Sequence, residues 1–164
     1  MGAENPDKNF KEGTSLIREL NKKGGDALLY NIVQTAKGNE FQSSKEGGEV
    51  RFNPDKKTGG HDAETLMGSG ERPTEIGLGH ELTHGKHRDK KGLSQFSKDA
   101  KTLTKVEDPE LFLQGKTGNL SKEELETRKG ENVLRKEQGV PARAITIDDI
   151  PAIEITAPKN EEKK

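Results

Sequence analysis

The sequence predicts an α+β fold, and three stretches carry that expectation. Phe10, Ile17 and Leu20 fall at helical spacing ahead of "KKGG". Val50 and Phe52 alternate with polar neighbours in "GEVRFNP". Ser121 and Glu124 mark a helix start before a long charged run.

Taken in order, residues 1–9 are a flexible start, and the first helix begins at Phe10. A second short helix is expected from Asp26 to about Gly38, with Leu28, Leu29, Ile32 and Val33 as its apolar positions. Tyr30 lies in that stretch and reads as a core residue rather than a catalytic one. The segment around Val50 and Phe52 reads as a hairpin of two modest strands, with "NPD" as a turn. Residues 57–72 are rich in glycine and read as a loop. Pro73 then suits the N-terminus of a helix through "TEIGLGHELTHGKH". Leu78 and Leu82 give it an apolar stripe, Ile76 lies on a neighbouring one, and His80 and His84 share another face. Gly77, Gly79 and Gly85 each cost about 1 kcal/mol against alanine in an exposed helix, so this helix should pack closely against something.

Residues 88–119 are mixed and charged, with "ELFLQ" the clearly apolar part, and the stretch from Lys86 to Lys116 is expected to shape a cleft. Ser121 and Glu124 form a capping box, and Leu120 and Leu125 a hydrophobic staple. The helix they open should run to Gln138, stopped by Gly139 and Pro141. "RAITIDDIPAIEITAP" reads as extended. One domain over residues 10–157 follows, with a charged tail at 158–164.

Composition narrows the function. Only 27% of the 164 residues are hydrophobic and 35% are charged, so the core must be small. The net charge of −1, with both signs interleaved, provides no basic field for nucleic acid. There is no cysteine, so any metal must be held by His, Asp or Glu. No apolar run reaches the roughly 20 residues of a membrane span, and "MGAENPDKNF" lacks a Sec signal-peptide core. Export would therefore use a route that needs no such signal.

The densest chemistry is "HELTH", an H-E-x-x-H pattern at residues 80–84. On a helix, His80 and His84 lie one turn apart and can both face one Zn²⁺, while Glu81 stands beside the metal as general base and then acid toward a water bound there. Chance would produce the pattern in roughly one chain in a hundred of this length and composition. A catalytic zinc also needs a third protein ligand. His87 lies about 10 Å along the helix from His80, too far to share the ion. The spacing of the metzincins fails as well, since His87 occupies their glycine position and Lys90 their third histidine. His61 is a weak alternative in the glycine-rich loop. Glu123, Glu124, Glu126 and Glu131 on the capped helix are the remaining candidates.

"GEVRFNP", "RPTEIGLGHELTHGKH" and "EELETRKGENVLRKEQGVPAR", in that order, resemble the NleD-type family of bacterial effector zinc metallopeptidases, with relatives among secreted toxin domains. The resemblance covers roughly residues 10–143. It implies a compact zincin-like domain: a small sheet beside the active-site helix, and a second helix that brings in a glutamate. It implies one Zn²⁺ per chain on His80, His84 and Glu124, with Glu123 in reserve, and Glu81 as the catalytic residue. Glu131, Asn132 and Arg135 would support the ligands. The tyrosine that often follows the P-x-R block is missing, which leaves Arg143 or His87 to stabilise the oxyanion. The expected substrate is a protein of a target cell, reached through a specialised secretion system as effector or toxin, with an immunity protein or chaperone as a possible companion. The rival reading is a non-catalytic effector or binding module in which a structural zinc staples a small core.

Overall fold

The computed structural model describes residues 11–21, 28–57 and 72–150. Helix α1 (Lys11–Leu20) is followed by strands β1 (Leu29–Gln34), β2 (Glu40–Ser44) and β3 (Gly47–Phe52). The long helix α2 (Thr74–Lys101) comes next, then β4 (Leu103–Glu107), the short α3 (Pro109–Leu113), β5 (Asn119–Ser121) and helix α4 (Lys122–Gln138). A 3₁₀ turn at Ile147–Asp149 ends the described chain. Phe10, His61 and the tail at 158–164 lie outside the described residues.

The mixed α+β class is the one the sequence predicts, but β1 replaces the expected helix at residues 26–38. Tyr30, Ile32 and Val33 are aromatic or β-branched, and six residues are too few to build a stable helix without a buried face. Their apolar side chains do not form a core stripe: Leu29, Ile32 and Val33 stay exposed. Instead β1 runs parallel to β3, Ile32 opposite Val50, in a sheet ordered β1-β3-β2. The hairpin is present, though its turn falls at Lys45 and Glu46 rather than at "NPD". β2 and β3 pair antiparallel with Phe41 opposite Val50, and Asn53 closes its own turn by accepting from the Asp55 N–H at 2.9 Å.

Leu16, Val50, Ile76, Leu82 and Leu134 form the core, contributed by α1, β3, α2 and α4, with Leu20, Phe41 and Leu78 packed around them. In α1 the buried residue is Leu16, while Ile17 is turned to solvent. The core is as small as the composition requires. The glycine cost in α2 is offset by close approach to α4: a Cβ on Gly79 would stand 2.5 Å from a Leu134 methyl.

Helix α2 extends well past the histidines to Lys101, with a break in its helical dihedrals at Gly92. A two-stranded antiparallel ribbon of β4 and β5 then returns the chain, and the Lys122 N–H donates to Thr102 O at 2.8 Å. This sets the start of α4 against α2. Helix α4 begins after Ser121 and ends at Gln138 before Gly139 in the left-handed region, as its signals predict. Only half of the capping box forms. Ser121 Oγ accepts from the Glu124 N–H at 3.1 Å, while the Glu124 carboxylate is drawn towards α2.

Candidate metal centre

The site lies where α2 and α4 face one another. One helical turn separates His80 from His84, and their rings meet edge to face with centroids 5.0 Å apart. From α4, Glu124 Oε2 stands 3.6 Å from His80 Nε2 and 3.5 Å from His84 Nε2. A tetrahedral zinc with bonds of about 2.1 Å holds its donors about 3.4 Å apart, so these spacings suit one. One ligand atom from each of the three residues lies within 4.8 Å of the others.

The opposite edge of each imidazole is also engaged. His80 Nδ1 lies 2.9 Å from Glu131 Oε2, and His84 Nδ1 lies 3.2 Å from Glu123 Oε1. An Nδ1–H donating to a carboxylate leaves the Nε2 lone pair for a metal and fixes the plane of the ring. Thr127, fully buried, donates to the same Glu123 oxygen at 3.2 Å. The adjacent glutamates therefore face different atoms: Glu124 the two Nε2 edges, Glu123 the Nδ1 edge of His84.

Arginines hold these carboxylates in turn. Arg128 Nε donates to Glu124 Oε1 at 2.7 Å and Arg128 Nη1 to Asp108 at 2.9 Å. Glu124 is thus left with one oxygen, Oε2, toward the histidines. Arg135 donates to Glu131 Oε1 and Arg143 to Glu131 Oε2, each at 2.8 Å. Asn132 fixes the Arg143 backbone through a pair of bonds, accepting from its N–H at 2.7 Å and donating to its carbonyl at 3.0 Å. The guanidinium of Arg143 also reaches Glu110, with the Arg143 Nε to Glu110 Oε1 bond at 3.0 Å. Arg128, Asp108 and Glu110 went unnoticed in the sequence. The i,i+4 spacing of Glu124 and Arg128 was a legible signal for the first of them.

Burial opposes charge on every one of these groups, and the pairing decides the outcome. For Glu123, Glu124 and Glu131 the histidine hydrogen bonds and neighbouring cations outweigh burial and hold the carboxyls well below their usual range. Burial likewise disfavours the imidazolium of His80, but Glu124 and Glu131 push its pKa up to about 9. The cluster thus favours positive charge between its carboxylates. Glu81 behaves differently: burial raises its pKa, with the two histidines opposing. It lines the same cleft as His80, His84 and Glu124, beside Phe41 of β2 and Phe96 of α2.

His87 does not reach this cleft. Its Nδ1 lies 2.7 Å from Glu123 Oε1, the same oxygen that meets His84 Nδ1. His87, Glu123 and Glu126 form a second cluster of possible donors, but the Lys91 ammonium lies between the two glutamates, 3.0 Å from Glu123 and 2.5 Å from Glu126. That positive charge is already supplied. Arg143 lies behind Glu131 and Glu124. Tyr30 is on a strand, where its hydroxyl donates to Gly85 O at 3.0 Å, and burial pushes its pKa up to about 12.

A His–Glu cluster with this carboxylate support narrows the choice of relatives, and the comparison decides it: residues 5–145 match the peptidase family M91, described as effector protein. The chain belongs to the M91 effector peptidase family. No curated protein and no solved structure matches it. The match takes in α1 through α4 and Arg143, so each group named above lies within the M91 region. It is the NleD-type family that the sequence blocks resemble. Membership implies a peptidase, a protein substrate, a metal and delivery into host cells. Among the described residues no helix is long and apolar enough to cross a membrane.

Proposed function

We propose that this M91 member is a zinc-dependent endopeptidase with a zincin-like active site, which cuts a protein of the cell into which it is delivered. One observation carries the reading: His80 Nε2, His84 Nε2 and Glu124 Oε2 converge while carboxylates hold both Nδ1 edges. His80, His84 and Glu124 would hold one Zn²⁺, with Glu123 and Glu131 orienting the histidines. When bound, the ion polarises the substrate carbonyl and acidifies water.

Glu81 supplies the proton chemistry. Its carboxylate is buried beside the two histidines, and a raised pKa suits a base that must accept a proton and release it again. It takes the proton from the attacking water and passes it to the departing amine. Phe41, in edge strand β2, lines the cleft, so an extended peptide can lie alongside β2 and pair with its main chain. Delivery by a specialised secretion system would suit a member of an effector family.

A purely structural zinc would have no use for Glu81. The test is Glu81→Gln, measured for zinc content and for cleavage of an end-blocked degenerate peptide mixture followed by mass spectrometry. The peptidase reading expects one zinc per chain in both proteins and cleavage by the wild type alone. Zinc without cleavage in the wild type would favour the structural module, and a folded wild type without zinc would sink both.

A further inference from the structure

One residue of the cleft wall carries a hydrogen-bond donor that no described residue accepts from. Asn39, immediately before β2, lines the cleft together with His80, Glu81, His84 and Glu124. Its Oδ1 accepts from the Asn53 N–H at 2.8 Å. Only an acceptor can occupy that position, so the bond fixes which end of the amide is which. The other end, Nδ2, is buried and has no hydrogen-bond partner among the described residues.

The described neighbours do not supply one. A Cβ on Gly77 would lie 2.3 Å from Asn39 Nδ2, and the next nearest atoms there belong to the Arg72 guanidinium. Arg72 offers donors only, and its own Nε is also buried without a hydrogen-bond partner among the described residues. A buried polar group left unpaired is costly enough to call for a reason. Gly77 is the residue that makes room for this amide, because any side chain there would occupy its place.

We propose that Asn39 is a substrate-binding residue whose amide turns Nδ2–H onto a main-chain carbonyl of the peptide lying along β2. A carbonyl oxygen is the acceptor a peptide brings at every residue, whatever its side chains. At rest the Oδ1 bond holds Nδ2 against Gly77 and Arg72, and a substrate carbonyl at the cleft wall would draw Nδ2–H outward by supplying the partner it lacks. Arg143 and His87, the donors considered from sequence, are engaged with carboxylates behind the ligands, whereas Asn39 is on the cleft wall. The inference rests on the peptidase reading above.

The test pairs Asn39→Ala with Asn39→Asp. The aspartate keeps an oxygen for the Asn53 N–H and can pair with Arg72, but presents an acceptor where a donor is needed. With the degenerate peptide mixture as probe, Asn39→Ala should lower kcat/KM about tenfold at unchanged zinc content, the scale of one neutral hydrogen bond. Asn39→Asp should lose more while melting no lower than the wild type. A merely structural role predicts rescue by the aspartate, and kcat/KM within twofold of wild type for Asn39→Asp would overturn the proposal.

A second measurement separates this proposal from the peptidase reading. In zinc-loaded Glu81→Gln protein labelled with ¹⁵N, the Asn39 side-chain amide resonance should move downfield as the peptide mixture is added. If the wild type cleaves nothing, the peptidase reading falls, and the amide signal still decides the role of Asn39: a shift supports it and no shift overturns it.

Discussion

The adjacent glutamates at the start of α4 should differ in what their loss does to zinc. Glu124 faces both Nε2 edges, at 3.6 and 3.5 Å, whereas Glu123 meets His84 at Nδ1, 3.2 Å away. In the proposed site, removing Glu124 would therefore remove a ligand. Structural zinc sites bind with about 10–16 kcal/mol shared over four ligands, so one ligand is worth about 2.5–4 kcal/mol, or about two to three decades in affinity. Removing Glu123 leaves the ligand set intact and frees the His84 ring to turn. Loss of such an outer partner costs about 10- to 100-fold. Glu124→Ala and Glu123→Ala should thus weaken zinc by about 100- to 1000-fold and 10- to 100-fold respectively. Competition titration against a chromophoric chelator near neutral pH measures both, with circular dichroism to verify folding. A Glu123→Ala protein that binds zinc more weakly than Glu124→Ala would refute the assignment of roles.

Three other outcomes follow from the same geometry. Arg128→Lys keeps the charge but loses the planar fork that joins Glu124 to Asp108, so zinc affinity should fall about tenfold with little change in the fold, as read by the same titration. Metal-free protein should lose stability as pH rises from the ordinary histidine value of 6.5 through about 9. The folded pKa of His80 is the raised one, so its contribution is complete below 6.5 and gone above 9. The depressed carboxylates act in the other direction, contributing above about 4.5 and losing that stability in acid. A melting temperature of the chelator-treated protein that rises between neutral pH and pH 9 would contradict this. Tyr30 is the chain's single tyrosine, so its phenolate absorbance can be followed without overlap. It should appear near pH 12 rather than 10, and Tyr30→Phe should cost about 1 kcal/mol of stability without changing cleavage.

What could be read directly from the sequence was local. The H-E-x-x-H spacing sets His80 and His84 one turn apart as soon as the segment is helical, because that geometry depends only on the backbone period. Ser121 and Gly139 mark the two ends of α4 by satisfying or releasing its terminal backbone groups, which are interactions within a few residues. The M91 blocks were legible for a similar reason, since they are ordered runs of residues rather than distant contacts.

Tertiary structure decided whatever depended on partners far along the chain. β1 was misread as a helix because "LLYNIV" suits either period, and only parallel pairing with β3 selects the strand. Glu124 could not be separated from Glu123 by pattern alone, since both begin the same helix and both attract histidines. The packing of α4 against α2, with Leu134 seated at Gly79, sets the rotation that turns one carboxylate to Nε2 and its neighbour to Nδ1. Asn39 was invisible for the same reason. Its proposed role rests on a bond it lacks among the described residues, and that is seen only when Asn53, Gly77 and the cleft are brought together.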